Sequence, residues 1–588
     1  MFVKLEKLII KNFRSIGSNP IEVSLDDIVV LVGENNAGKS TILRAYEAAV
    51  GGEQLSIDDY PGMEPDANNL PEVEIHTLVD QEAAPDLASW CEKINEDPLL
   101  YRVKERWTWP FKAGSKPARF GFRVDLSRWA DDSSKPKQPW ATDNVAIARR
   151  PKVHRIGTFD NPQEQSDAIK SLVMDILLEE KIKSYIPKDG EAGISGLTER
   201  FATIKKEFIE ASKEGLSDIA ENINKYVSKV IAGHQLTLGV GDAEKEIGLK
   251  IFDAEDLEIS FGTPDELYPI ENHGSGARRT LMWAVLKALA DMGYSASGKV
   301  KGKKYETIQN RCGHVLLLDE PEISLHPQAV RDACDVLYSL PSGSDWQVMI
   351  TTHSPSFIDL SKDHTKIIRV EKIGSSVAST TLFSADEVKL SADERDNMKL
   401  LNLIDPHVLE FFFGGRVILV EGDTEYTAFN ELIQKMDELK DIDILVVRAR
   451  GKVQVASLMK VLNHFKKQYV VLHDTDIPKT KKTKKTKLPD GNYKLEEQEI
   501  VNPAWTNNWK ILDAMSAHSK VFASIHNFES AYFGEIIDSG KPENAMEMMR
   551  DPDKHQIIKT LLLGLLGLGE LPEGVINWTS RADLEKLF

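Results

Sequence analysis

The chain has 588 residues, of which 41% are hydrophobic, and a net charge of −19; it is too long for one core and predicts roughly three or four domains. Its longest apolar runs, VLLLD at 315–319 and VILV at 417–420, fall far short of the ~18 residues a membrane span needs, so no membrane partner is expected. The opening MFVKLEKLIIKNFRS carries charges inside its apolar stretch and no small-residue cleavage site, and Cys91, Cys312 and Cys334 form neither a disulfide framework nor a CxxC pair, which predicts a reducing, cytoplasmic location.

Residues 3–10 and 21–32 read as two strands that feed, through a glycine-rich turn, a helix beginning near Lys39. From about 55 to 150 the chain is rich in proline, tryptophan and charge, with strand-like pieces VEIHTLV (73–79) and FGFRVDL (120–126), and is expected to form a β-rich lobe. Residues 163–232 carry apolar residues at helical spacing with few glycines. They predict amphipathic helices too irregular in heptad for a long coiled coil, packed on their own domain or serving as a dimerisation surface. Buried-type strands return at 315–318 and 347–351, and the charged SADERDNMK suggests a boundary between 385 and 410. Beyond it VILV, ILVVR and YVVLH alternate with helices, the pattern of a parallel sheet covered on both faces. The tail from 500 is expected to be helical, ending near LLLGLLGLG.

GENNAGKST at 33–41 fits GxxxxGK[ST] and lies between the strand IVVLV and a helix. Glycines let the backbone N–H groups face phosphates, Lys39 reaches the β and γ oxygens, and Ser40 holds Mg²⁺. VLLLDEPEISLHP at 315–327 ends a buried strand in Asp319, placed for the same Mg²⁺, followed by Glu320, placed to orient or deprotonate an attacking water. NHGSGARRT at 272–280 opens a helix with Ser275 and Gly276, and ITTHSP at 350–355 puts His353 just past a strand.

Together with KNFRSI at 11–16, these pieces resemble the signature, switch-histidine and N-terminal motifs of ABC-type ATPases of the SMC and RecF kind. The resemblance implies an ATP-binding set of Arg14, Gly33, Asn35, Asn36, Gly38, Lys39, Ser40, Thr41, Ser275, Gly276 and His353. It also implies a dimer, since in that family the signature helix of one subunit covers the ATP of another. GSGARR departs from the transporter-type LSGGQ, and Gln81 is the candidate for the Q-loop glutamine.

A second acidic cluster follows. In RVILVEGDTEY (416–426) Glu421 and Glu425 are four apart at a strand-to-helix turn, so both carboxylates can lie on one side of the first helical turn, with Asp423 facing solvent. YVVLHDTDIP ends another buried strand with Asp474 and Asp476. Such carboxylates repel one another unless a cation sits among them, and all-oxygen ligands favour Mg²⁺ or Mn²⁺. The lysine run KTKKTKKTK at 479–487 follows directly, either a solvated loop or a grip on a phosphate backbone.

The order EG..E then DxD resembles the Toprim fold, in which the first glutamate also serves as general acid or base. An ABC-type ATPase followed by Toprim resembles the OLD family of nucleases, which includes phage-exclusion and antiphage-defence proteins. The resemblance implies an α/β chain: ABC ATPase lobes at 1–160 and 236–395, a helical dimerisation insert at 161–235, and a Toprim parallel-sheet domain with helical extension at 396–588. It further implies Glu529, in SIHNFESAYFG, as a metal ligand beside Glu421, Glu425, Asp474 and Asp476, and a downstream catalytic lysine, Lys554 or else Lys559. The expected function is that of an ATP-hydrolysing, Mg²⁺- or Mn²⁺-dependent endonuclease that nicks or cuts duplex DNA through a two-metal site as a homo-oligomer, in antiphage defence or DNA processing, with a helicase-like or other partner encoded nearby. Two other readings stay open: an ATP-gated DNA-binding repair clamp of RecF type, and a Toprim ribonuclease acting on RNA or tRNA.

Overall fold

A computed structural model describes residues 2–140 apart from 97, then 146, 149–157, parts of 163–227, 234–240, 257–291 apart from 264, 313–396 apart from 324, 342–345, 375 and 389–390, 406–534 apart from 441 and 488–492, and 541–588. The chain divides into two compact units, Met1–Phe357 with His364–Ser379, and Ile358–Asp363 with Thr380–Phe588.

In the first unit the Pro- and Trp-rich stretch is β-rich, as its short alternating segments predict. Glu72–Val79, Glu92–Glu96, Leu99–Thr108, Ala118–Arg123 and Arg128–Trp129 pair antiparallel, and Val3–Lys11 and Ile21–Ser24 complete a seven-stranded sheet. A second sheet has at its centre five parallel strands in the order Thr365–Ile373, Ile28–Val32, Trp346–Thr351, His314–Asp319, Lys152–Ile156. IVVLV, HVLLLD and WQVMIT are buried at every position, because a parallel strand covered on both faces has no polar side to show. The helix Lys39–Gly51 fills the space beside these strands, its Ile42, Leu43, Tyr46 and Ala49 sharing one core with Leu8, Ile10, Leu317 and Met349. Between 163 and 227 the described residues of the insert are helical, with Leu216, Ile219, Ile223 and Val227 buried at three- and four-residue spacing, and Gln235 opens the strand Gln235–Val240. The rest of the stretch expected as a dimerisation insert, 161–235, lies outside the described residues.

The second unit carries four parallel strands in the order Ile444–Arg448, Arg416–Val420, Tyr469–Asp474, Ser519–Ser524, with Val575–Asn577 antiparallel at the edge. From Arg416–Val420 the chain crosses through the helix Asp423–Lys435 to one neighbour, then through the helix Lys452–Asn463 to the opposite side. The order therefore reverses between Arg416–Val420 and Tyr469–Asp474. At such a point the loops leaving the carboxyl ends diverge and open a crevice.

The tail from 500 is not helical throughout: SKVFAS at 519–524 is the fourth parallel strand and VIN at 575–577 the fifth of its sheet. Six residues with a four-residue apolar or small core are too short for periodicity to separate a buried strand from a helical turn. The lysine run is not a loop either. Lys479–Lys487 is a strand paired antiparallel with Tyr493–Val501, and the return strand brings Glu499 and Glu497 to Lys479 and Lys481 at 3.2 Å each. Among the described residues, no helix is long and apolar enough to cross a membrane.

Candidate functional site

In the first unit the phosphate loop is shaped by glycines. Gly33 has φ 142°, and a Cβ there would stand 2.0 Å from the Val370 carbonyl oxygen, so no other residue fits. Gly38, at φ 103°, turns the chain into the helix Lys39–Gly51. Lys39 Nζ donates to the carbonyls of Gly33 (3.0 Å) and Glu34 (2.9 Å) and to His353 Nε2 (2.8 Å). Burial lowers the Lys39 pKa against the opposing pull of Glu320 and Asp319, and burial, followed by the Lys39 charge, lowers that of His353. Ser40 Oγ donates to Asp319 Oδ1 at 2.7 Å, and the same oxygen accepts from Thr351 Oγ1 at 2.5 Å. Asn35 and Asn36 are exposed at the loop tip, while Thr41 is buried and 3.5 Å from Ser15 Oγ. Arg14, beside Ser15, donates to Asp59 Oδ1 at 2.8 Å.

Glu320 sits at φ 45°, a left-handed conformation that a non-glycine residue adopts only when its surroundings hold it. Its N–H donates to the Thr351 carbonyl (3.0 Å), its carbonyl accepts from Arg279 Nη1 (3.1 Å), and its carboxylate lies 3.4 Å from His353 Nε2. Lys39, Ser40, Asp319, Glu320 and His353 thus meet. Ser275 is exposed and Gly276 half-buried at the start of the helix Ser275–Asp291, and Gln81 is exposed in the turn after Glu72–Val79. One group escaped the sequence reading. Glu322 accepts from the His353 N–H (2.7 Å) and Thr352 Oγ1 (2.9 Å), and burial raises its pKa. Its signal was the second glutamate of DEPE.

In the second unit Glu421 and Asp474 end adjacent parallel strands on either side of the reversal, and the Asp474 N–H donates to Glu421 Oε2 at 3.1 Å. Glu425 is buried one helical turn beyond Glu421, and a Cβ on Gly422 would come within 3.0 Å of its Oε2, so the glycine makes room for the carboxylate. Glu529 is buried at the start of the π-helical turn Glu529–Phe533, accepting from Thr424 Oγ1 at 2.6 Å and pairing with Lys541 at 2.9 Å. Asp474 Oδ1 accepts from the Phe528 N–H at 2.8 Å. Burial, then the neighbouring carboxylates, pushes Glu425 up to about 8 and Asp474 well above the usual range; burial also raises Glu421, against the pull of Lys452. Burial pushes Glu529 up too, but its bonds from Thr424 and Lys541 bring it below the usual value.

Asp476 is differently placed. At φ 58° it turns out of the strand and its carboxylate pairs with the buried Lys452. Asp423 is half-buried and paired with Arg448 at 2.7 Å. Lys554 Nζ lies 2.9 Å from Met548 Sδ and Lys559 lies 3.6 Å from Glu438, whereas Lys541 pairs with Glu529 of the acid cluster. Lys452 could have been found as the Gly-Lys that follows the strand ILVVR; Lys541 follows no motif. His473, fully buried before Asp474, bonds through Nδ1 to the Asp474 carbonyl (2.8 Å) and accepts the Trp578 indole N–H at Nε2 (2.9 Å). Burial lowers its pKa to about 3, so it is neutral and holds that strand end as a hydrogen-bonding group.

The donor set fits a divalent cation: carboxylate oxygens only, with Glu425 and Glu529 buried and with Glu425 and Asp474 raised in pKa by their acidic neighbours as well as by burial, a repulsion that positive charge relieves. No three of these acids bring one oxygen each within 4.8 Å of one another; among the described residues that spacing is met by Asp26, Asp27 and His364, where Lys4 already pairs with both aspartates at 2.7 Å.

Comparisons with known proteins give the same two halves. The AAA ATPase domain family matches residues 3–81 and 157–358, and the TOPRIM domain of overcoming-lysogenization-defect-like proteins matches residues 412–476. The chain is 23% identical over 565 residues to an OLD nuclease of Thermus scotoductus (strain ATCC 700910 / SA-01), covering 94% of this chain and 96% of that one. It is 24% identical over 482 residues to the Old nuclease of Escherichia phage P2, covering 81% and 78%. A solved SMC head bound to the C-winged helix domain of ScpA aligns at 16% identity with a TM-score of 0.39, over 66% of this chain and 99% of that one.

Proposed function

Because the chain joins an AAA ATPase domain to an OLD-like TOPRIM domain, we propose that it is an ATP-hydrolysing, divalent-metal-dependent endonuclease acting on duplex DNA. The observation that carries this reading is the placement of Glu421, Glu425, Asp474 and Glu529 around the carboxyl ends of adjacent parallel strands, with Glu425 and Glu529 buried and with repulsion among the carboxylates that a cation would relieve. Mg²⁺ or Mn²⁺ suits oxygen ligands, and two such ions, when bound, activate a water and stabilise the leaving oxygen of a phosphodiester.

The residues divide the remaining work. Glu421, which accepts the Asp474 N–H, faces the crevice as ligand and general acid or base. Glu425, Asp474, Asp476 and Glu529 complete the ligand set. We assign the charge-stabilising lysine to Lys541, 2.9 Å from Glu529, in place of Lys554 or Lys559. In the other unit Lys39 would bind the ATP phosphates, Ser40 and Asp319 would hold Mg²⁺, and Glu320 would direct the attacking water. Ser275 and Gly276 of a second copy cover the nucleotide in a homodimer, with the helical insert as its contact surface.

A plasmid assay tests the substrate class. Supercoiled DNA with Mn²⁺ or Mg²⁺ is expected to become nicked or linear, chelation is expected to stop it, and an RNA transcript is expected to stay whole. Cleavage of the RNA with the plasmid spared would move the assignment to the ribonuclease reading.

A further inference from the structure

The least expected group in the second unit is Lys452. It has a side chain only 2% exposed, yet it is a lysine. A buried ammonium survives only where acceptors satisfy all of its hydrogens. Here there are three, and they belong to two segments: the Asp476 carboxylate and the Thr475 carbonyl (3.4 Å) on one side, the Ala504 carbonyl (3.2 Å) on the other.

The backbone aims the side chain there. Ala449 N–H donates to the Val420 carbonyl (2.9 Å) and Gly451 N–H to the Glu421 carbonyl (3.0 Å), so the loop before Lys452 is tied to the strand end that carries Glu421. Gly451 has φ 121° and ψ 161°, a region closed to side chains, which lets the chain turn sharply into the helix Lys452–Asn463. Lys452 then spans from the Glu421 side of the crevice to the Asp474–Asp476 turn. That turn has several other ties. Thr475 N–H donates to Ser524 O (2.9 Å), Asp476 N–H to His526 O (2.8 Å), and Asn508 Nδ2 to Thr475 O (2.8 Å). All of these fix backbone; among the contacts described, only Lys452 holds the Asp476 carboxylate.

We propose that Lys452 is a positioning residue of the metal site: its ammonium fixes the Asp474–Thr475–Asp476 turn and the Asp476 side chain against Glu421, so that the acids take up divalent cations together. The inference rests on the metal-site reading above, and it concerns metal uptake, which is measurable without cleavage. It also accounts for the left-handed Asp476 at φ 58°, a strained backbone kept in place by the ion pair.

The test is Mn²⁺ titration of the nucleotide-free chain, read by electron paramagnetic resonance, in wild type, Lys452→Met, Lys452→Arg and the double variant Lys452→Met/Asp476→Asn. Lys452→Met is expected to bind Mn²⁺ about tenfold or more weakly, the size typical of losing a group that orients a ligand. Lys452→Arg, which keeps the charge, is expected to recover most of that loss. Adding Asp476→Asn to Lys452→Met is expected to cost little more, because the two act as one unit. Mn²⁺ affinity in Lys452→Met equal to wild type would overturn the proposal and leave Lys452 as packing; tighter binding would overturn it too, making the lysine a competitor of the metal. Circular dichroism identifies a variant that has not folded, and if Lys452→Met is such a variant the decision passes to Lys452→Arg, where a tenfold loss of affinity would refute the role. If the wild type itself bound no Mn²⁺, the metal-site reading would fail, an outcome distinct from any of these.

Discussion

Glu425 shows how a single side chain converts burial into a measurable pH dependence. Its pKa stands near 8 in the fold against 4.5 for an ordinary glutamate, so between those values the native chain holds a proton that the unfolded chain has lost. Stability contributed by this group is therefore present below about pH 4.5 and lost as pH rises through about 8 in the metal-free protein. Glu425→Gln removes that titration. The variant is expected to melt above wild type at about pH 8.5 in the presence of a chelator, with the gap closing as the pH falls toward the ordinary glutamate range; a gap independent of pH would contradict the assignment. Glu322 gives a second test at this scale. Its Oε1 holds the His353 N–H at 2.7 Å, while its buried Oε2 has no hydrogen-bond partner among the described residues. Glu322→Gln keeps the acceptor and is expected to hydrolyse ATP near the wild-type rate, whereas Glu322→Ala is expected to slow steady phosphate release roughly tenfold by freeing the histidine. Equal rates for the two variants would show that the carboxyl group does not position His353.

At the scale of elements, the strands that end in chemistry were the legible ones. IVVLV, VLLL, VILV and YVVLH are largely apolar runs followed at once by Gly33, Asp319, Glu421 and Asp474, and each is a mostly buried strand that leads into a candidate site. SKVFAS carries no such mark, and its place in the sheet comes from pairing with Tyr469–Asp474 at long range. The lysine strand was illegible for a different reason. Its composition speaks of a solvated loop, and only the return strand YKLEEQEIV, with acids across from lysines, makes a hairpin of it. A two-stranded hairpin alone is marginal, and cross-strand charge pairs add a few tenths of a kcal/mol each to about 1 kcal/mol. Those pairs also mask the lysines from phosphate. Replacing Glu497 and Glu499 by Gln is expected to tighten non-specific binding to duplex DNA and to steepen its salt dependence, by up to ~0.9 in the log–log slope per lysine released. An unchanged slope in a filter-binding or anisotropy titration would mean that the hairpin does not meet DNA.

At the scale of the molecule, two compact units each carry one acidic site at the carboxyl ends of parallel strands. Motif spacing named most residues of both candidate sites, because a phosphate loop and paired carboxylates demand fixed residue types at fixed offsets. It missed Lys452, Lys541 and Glu322, whose roles come from contacts 24, 12 and 31 residues away in the chain. Long-range partners leave no local pattern to read. On the proposed function, the acid cluster of the second unit cuts DNA while the first unit hydrolyses ATP, with separate residues for each. The most direct test is to measure plasmid cleavage with Mn²⁺ and steady-state phosphate release on the same preparation of Asp474→Asn. Cleavage is expected to fall by at least about a thousandfold with ATP turnover unchanged; wild-type cutting by that variant would contradict the account.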